Sequence, residues 1–333
     1  MLESLAYPAL LIASLGLILF ACELFTNGIE WTGRKLKLSD GATGSILAAV
    51  GTALPETSIP IIALMAGKAG GADIAVGAIA GAPFMLATLG FFVTGTAVFY
   101  FTRKGRRGLS MKVDTTVITR DLGFFLVIYT AAFVTTFIPG HHTLRLVVAI
   151  CLASSYGYYT WVTLRHAGHS DHELDELHLS KFFHLDNHSG FIAVQVLASL
   201  GLIVMGAHLF VVAVEHVSAM FGVPAMLLSL LITPVATELP EKMNSVLWIK
   251  GGKDTLAIGN ITGAMVFQAS FPVAIGVAFT PWALSGPTMV SAVIAIFSAG
   301  VCYISLKRRK SLSPAVLLTG GAFYLAFIAY LFV

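Results

Sequence analysis

Ten apolar runs divide the chain, at about residues 7–31, 41–66, 72–102, 119–138, 144–165, 190–217, 223–249, 255–280, 287–306 and 312–332. Each is about 20 residues or longer, the length a helix needs to cross roughly 30 Å of hydrocarbon. Lipid offers the backbone no hydrogen-bonding partner, so a spanning segment must satisfy its own amides and carbonyls. The runs therefore predict an all-α polytopic membrane protein with ten transmembrane helices. Composition agrees: 57% of the residues are hydrophobic, 11% are charged, and the mean hydropathy is +0.86. Ordinary soluble domains do not read this way. The first run has neither a basic leader nor a small-residue cleavage pattern, and is expected to be a retained span. Cys22, Cys151 and Cys302 all lie in apolar stretches without paired spacing, which argues against a disulfide framework or a zinc site.

The basic residues orient this bundle. Arg34, Lys35 and Lys37 follow the first run, Arg103, Lys104, Arg106, Arg107 and Lys112 follow the third, and Lys307 to Lys310 follow the ninth. The opposite side holds little beyond Lys68 and Arg145. An excess of lysine and arginine marks cytoplasmic loops, so both termini are expected outside and the long polar segment at 167–189 in the cytoplasm. The expected location is the plasma (inner) membrane.

The two halves repeat each other. Ala13 to Ile18, "ASLGLI", recurs as Ala198 to Ile203, a shift of 185. Held without a gap, that shift pairs Glu30 with Glu215 and "TALPE" at 52–56 with "TELPE" at 237–241. Across 13–56, 14 of the 44 aligned pairs are identical. After a small indel, "GAIAGAPF" at 77–84 corresponds to "GNITGAMVF" at 259–267. The expected organisation is a first five-helix repeat over 1–166, the polar loop at 167–189, and a second five-helix repeat over 190–333. Five spans is an odd number, so the second copy enters the membrane from the opposite side. Such inverted repeats build secondary transporters, whose interrupted helices meet near the midplane.

Both copies place a proline and a glutamate where hydrocarbon penalises each. Proline withholds an amide and clashes with the carbonyl four residues earlier. A break at Pro55 or Pro240 leaves carbonyls near Thr52 and Thr237 free to face a ligand. Thr52 and Glu56 share a helical face at i, i+4, as do Thr237 and Glu241. Two carboxylates with hydroxyl and carbonyl oxygens form an all-oxygen set suited to a hard cation such as calcium. Their two charges match one divalent ion. Structural glutamates, paired with a buried base or protonated, are the competing reading, but recurrence in both copies favours ion binding.

Both segments resemble the α-repeats of the cation/calcium antiporter superfamily, the sodium/calcium exchangers and their relatives. The family pattern is G-T-S-x-P-E in the second helix of each half, then G-N-x-x-G-S-N in the third. "ACELFTNGIEW" and "GAHLFVVAVEHVSAMFGV" are similar to the family's first and sixth helices. The likeness spans essentially the whole chain, with the α-repeats at about 41–92 and 223–280. It implies that Glu56 and Glu241 coordinate a divalent ion, helped by the backbone carbonyls of Thr52 and Thr237. It also implies an antiporter exchanging a divalent cation, Ca2+ foremost, for Na+ or H+ by alternating access. The motif serines, however, are Ala53 and Glu238, and the third-helix asparagines are replaced by Ala78, Pro83 and Met265, with Asn260 retained. Those losses thin the family's sodium sites and leave Na+ and H+ coupling both open.

Glu238 and Glu241 at i, i+3 add a third carboxylate if Glu238 faces inward; clustered carboxylates raise one another's proton affinity. Glu238 facing outward as a solvated gate residue is the alternative. Asn260, Thr262, Gln268 and Ser270 fit the pathway or helix–helix hydrogen bonds equally well. Glu23 and His208, paired by the repeat, are expected to serve packing and pairing. The polar loop carries six histidines from His166 to His188, which suits transition metals, although a solvated linker is the simpler reading. No H-E-x-x-H, G-x-S-x-G or Walker sequence occurs, so an enzyme or ATP-driven pump is not expected. A passive cation channel, or an antiporter for Mg2+ or Mn2+, competes with the calcium reading. The expected partners are the bilayer and the transported cations, with no cofactor and no nucleic acid; the sequence does not fix an oligomeric state.

Overall fold

The computed structural model describes residues 2–35, 53–67, 70–138, 142–165, 176–183, 189–252, 254–284 and 286–332. Among them all regular structure is helical. The first half contains α1 (Leu2–Lys35), α2 (Leu54–Met65), α3 (Gly71–Met85), a π turn at Leu86–Gly90, α4 (Phe91–Arg103), α5 (Thr115–Thr135) and α6 (His142–Arg165). A short α7 (His178–Phe183) lies in the polar loop. The second half contains α8 (Ser189–Phe221), α9 (Ala225–Thr237), α10 (Leu239–Lys250), α11 (Asp254–Phe279), α12 (Gly286–Arg309) and α13 (Pro314–Leu331). Eight described helical stretches are long and apolar enough to cross a bilayer, and two shorter apolar ones lie in 56–65 and 225–234. Residues 71–103 run as one such stretch through α3, the π turn and α4.

Helix ends follow local chemistry. Asp114 caps α5, its carboxylate accepting from the amides of Thr116 at 2.9 Å and Val117 at 3.2 Å. At the basic end, Asp254 opens α11 and draws in the preceding loop. Its Oδ2 accepts from Arg107 Nη2 at 2.9 Å and from the Lys112 amide at 2.7 Å. At the other end of α11, Arg145 donates to the Thr280 carbonyl at 3.2 Å. The sparse arginine of the sequence thus closes a helix end, as the cluster does opposite.

The helices at the centre approach closely because α3 presents glycine. A Cβ at Gly77 would collide with the Met226 carbonyl, and one at Gly81 with the Leu230 carbonyl and Pro234. Without a hydrophobic drive between helices in lipid, such small-residue seams let backbones pack by van der Waals contact. Elsewhere α1 and α8 lie along each other. Tyr7 stacks on His216 at 3.8 Å near one end, and Phe25 and Ala21 meet Ile203 further along. The buried side chains of α1 and α8 cluster with each other and with Ile59 and Ala63 of α2 and Ile74, Ala75 and Ala78 of α3, beside the larger core formed mainly by α3 to α6 and α11 to α13.

The loop helix departs from a solvated linker. Leu177 is fully buried, and the Asn27 amide oxygen accepts from the His178 amide at 3.0 Å. Gln195 accepts from the Leu179 amide at 2.7 Å and donates to the Leu24 carbonyl at 2.8 Å. Buried glutamine and asparagine thus anchor α7 to α1 and α8. Of the loop's histidines, His166, His169, His172, His184 and His188 lie outside the described residues.

Candidate cation site at the paired helix breaks

The two Pro-Glu segments open helices at equivalent residues, α2 at Leu54 and α10 at Leu239, and in the second half α9 runs up to Thr237 just before. Ala53 precedes α2 in a non-helical conformation, with φ −88° and ψ 5°. Glu238 stands between α9 and α10, at 53 plus the repeat shift. The sequence reading put the break at the prolines themselves; they instead sit second in the helix that follows, Pro55 in α2 and Pro240 in α10. Proline is tolerated there because a first-turn amide has no intrahelical acceptor. The first backbone bonds of the two helices match too: the Thr57 amide donates to the Ala53 carbonyl at 3.2 Å and the Lys242 amide to the Glu238 carbonyl at 3.1 Å. Pro240 supplies no amide for the Ala236 carbonyl four residues before it.

Glu56 lies in the first turn of α2 at 2% exposure. A carboxylate in that turn faces the positive end of the helix dipole, which favours its charge. Glu241 occupies the corresponding first turn of α10. Its side chain, and all of Thr52, lie outside the described residues. Thr237 is buried, and its hydroxyl donates to the Thr233 carbonyl at 2.9 Å, which leaves the lone pairs of that hydroxyl and the backbone carbonyl as the oxygens it can offer a cation.

Glu238 is fully buried, which removes the solvated-gate alternative. Its Oε2 lies 2.7 Å from Lys242 Nζ, whose side chain is 8% exposed. The third carboxylate is therefore balanced by a base that the sequence reading did not consider. A Glu–Lys pair at i, i+4 reads as an exposed helix face, and only its place beside a helix break hints otherwise.

The polar positions of α11 divide. Asn260 is half-buried and its amide donates to Ser245 Oγ on α10 at 3.5 Å. Ser270 bonds its own helix at the Val266 and Phe267 carbonyls. Gln268, midway along α11 and 1% exposed, has no hydrogen-bond partner for either amide atom among the described residues. Ala78, Pro83 and Met265 are all buried and offer no side-chain oxygen. Glu23 and His208, expected to pair, are both exposed and make no polar contact with each other.

Thr262 serves a buried node that sequence reading missed. It donates to Asp121 Oδ2 at 3.0 Å, while Asp121 Oδ1 accepts from the Tyr159 hydroxyl at 3.1 Å and from Arg120 at 3.2 Å. The node ties α5, α6 and α11. Its signal was one aspartate six residues inside an apolar helix.

The family model described as "Sodium/calcium exchanger protein" matches residues 6–165 and 191–333. A putative antiporter CaxA of Alkalimonas amylolytica is 23% identical over 331 residues, covering 96% of this chain and 95% of its own. The crystal structure of the H+/Ca2+ exchanger CAX superposes with a TM-score of 0.78 at 16% identity, covering all of this chain and 85% of that one. The sodium-calcium exchanger NCX_Mj, soaked with 2.5 mM Na+ and 10 mM Sr2+, gives 0.63 at 18% identity over 98% of both chains. The fold is thus that of polytopic exchangers with inverted repeats, and with its family model matched across both halves the chain belongs to the sodium/calcium exchanger protein family.

Proposed function

We propose that this protein is a secondary antiporter that exchanges a divalent cation, calcium foremost, for Na+ or H+ at one site near the membrane midplane. The carrying observation is the matched pair of helix starts at Leu54 and Leu239. Each is followed by proline and then glutamate in the first turn of a half-helix, and Glu56 is buried there. Two carboxylates cannot both stay ionised in an apolar interior without a counter-charge. One divalent ion supplies that charge, and oxygen donors suit calcium over softer metals. The ligands in this reading are Glu56, Glu241, Glu238 and the backbone carbonyls at Thr52 and Thr237, with Asn260 alongside. Gln268 offers one further neutral oxygen.

The site holds either the divalent ion or its counter-ions, never both. The chain forms ten spans as two five-helix repeats, with both termini outside and the central loop in the cytoplasm. In this reading α1 and α8, which pack on each other and on Ile59 and Ala63 of α2 and Ile74 and Ala78 of α3 outside the largest core, slide along that seam to change the exposed side. Calcium flux into liposomes holding the purified protein tests this reading. Uptake should require an opposing Na+ or H+ gradient and should fall at least tenfold in Glu56→Gln and in Glu241→Gln. Calcium uptake that needs no counter-ion would make the protein a channel.

A further inference from the structure

The second break carries a charge pair that the first lacks. Lys242 and Glu238 lie 2.7 Å apart and are both buried. Their counterparts at the repeat shift are Thr57 and Ala53, where the Thr57 hydroxyl donates to the Ala53 carbonyl at 2.9 Å. One copy therefore fills these two positions with a neutral contact and the other with an ion pair.

That pair is held against two physical costs. An ammonium in the first turn of a helix faces the positive end of the dipole. A buried ion pair also gives up the hydration of both charges, and is often no more stabilising than apolar side chains of the same volume. Lys242 keeps its place against the Glu238 carboxylate, and in sequence it directly follows Glu241. Three carboxylates (Glu56, Glu238 and Glu241) and one ammonium leave a net charge of −2 at the paired breaks. That equals the charge of one divalent ion with nothing left over.

We propose that Lys242 is a resident monovalent cation of the transport site. Its ammonium fills the position beside Glu238 that a transported monovalent ion would otherwise take, and so limits the cargo to a total charge of two. The proposal rests on the divalent-site reading of Glu56 and Glu241. It makes Lys242 the residue that fixes how many monovalent ions the site takes up.

Equilibrium binding to the purified full chain at fixed pH and ionic strength tests it. In Lys242→Gln, saturating 22Na+ should show one more sodium per chain than wild type, while Lys242→Arg should show no additional sodium. An unchanged count in Lys242→Gln would overturn the proposal. Charge rescue gives a second arm that does not depend on that variant folding. Glu238→Gln alone leaves the centre at −1 and should weaken 45Ca2+ binding at least tenfold. Adding Lys242→Gln to it returns the centre to −2 and should recover most of that loss. A double variant as weak as Glu238→Gln would overturn the proposal. The divalent-site reading fails separately, if wild-type 45Ca2+ binding survives both Glu56→Gln and Glu241→Gln.

Discussion

Removing the Asp121 carboxylate should loosen three helices at once, and by an amount the geometry fixes. Asp121 is 2% exposed and accepts from Tyr159 at 3.1 Å and from Thr262 at 3.0 Å. Side-chain hydrogen bonds between membrane helices contribute about 0.6 kcal/mol on average and up to about 1.7. Two of them give about 1–3 kcal/mol. The Arg120 side chain is 19% exposed and adds less than about 1 kcal/mol after screening. In Asp121→Ala the buried Tyr159 hydroxyl also loses its described partner, at a cost of about 1 kcal/mol. The expected loss is about 2–4 kcal/mol, a shift of roughly 30-fold to 1,000-fold in the unfolding equilibrium. SDS-driven unfolding in mixed micelles, followed by circular dichroism, measures it. Tyr159→Phe and Thr262→Val should each cost less than Asp121→Ala, and neither should add fully to it, because they share a partner. A loss under about 0.5 kcal/mol, or strict additivity, would refute the node.

Two further perturbations probe the centre. Gly81→Leu drives a side chain into the Leu230 carbonyl and Pro234, so α3 and α9 must separate. Calcium flux should fall at least tenfold while the chain still inserts; retained flux would mean that this seam does not position the breaks. Gln268→Leu removes a buried amide without a described partner, which by itself should stabilise the fold by about 1–3 kcal/mol. As a cation ligand, Gln268 should instead show weaker 45Ca2+ binding on substitution, and unchanged affinity in a more stable protein would remove it from the site.

Much of the fold was legible because lipid leaves so few solutions. The run at 72–102 became the stretch 71–103, and that at 255–280 became α11 at Asp254–Phe279. Internal repetition located both breaks, since Thr-x-x-Pro-Glu recurs at the shift that brings Ala53 onto Glu238. The break itself falls two residues before each proline, because proline starts a helix more readily than it ends one. Side-chain partnerships were less legible. Lys242 looks like an ordinary surface neighbour of Glu238, and only three-dimensional packing buries both. Asp121 follows Arg120 and lies close to a basic loop, so its bonds to residues 38 and 141 positions away leave no local trace. The same holds for Asn27 and Gln195, which dock α7 from helices 168 residues apart in sequence.

Calcium stoichiometry measures whether the two acidic breaks converge. With saturating 45Ca2+, the purified wild-type chain should bind one ion. Glu56→Gln alone and Glu241→Gln alone should each abolish that binding, because each removes a carboxylate from one shared ligand set. Binding that merely halves in each variant, from two ions to one, would mean two independent sites and would contradict the account.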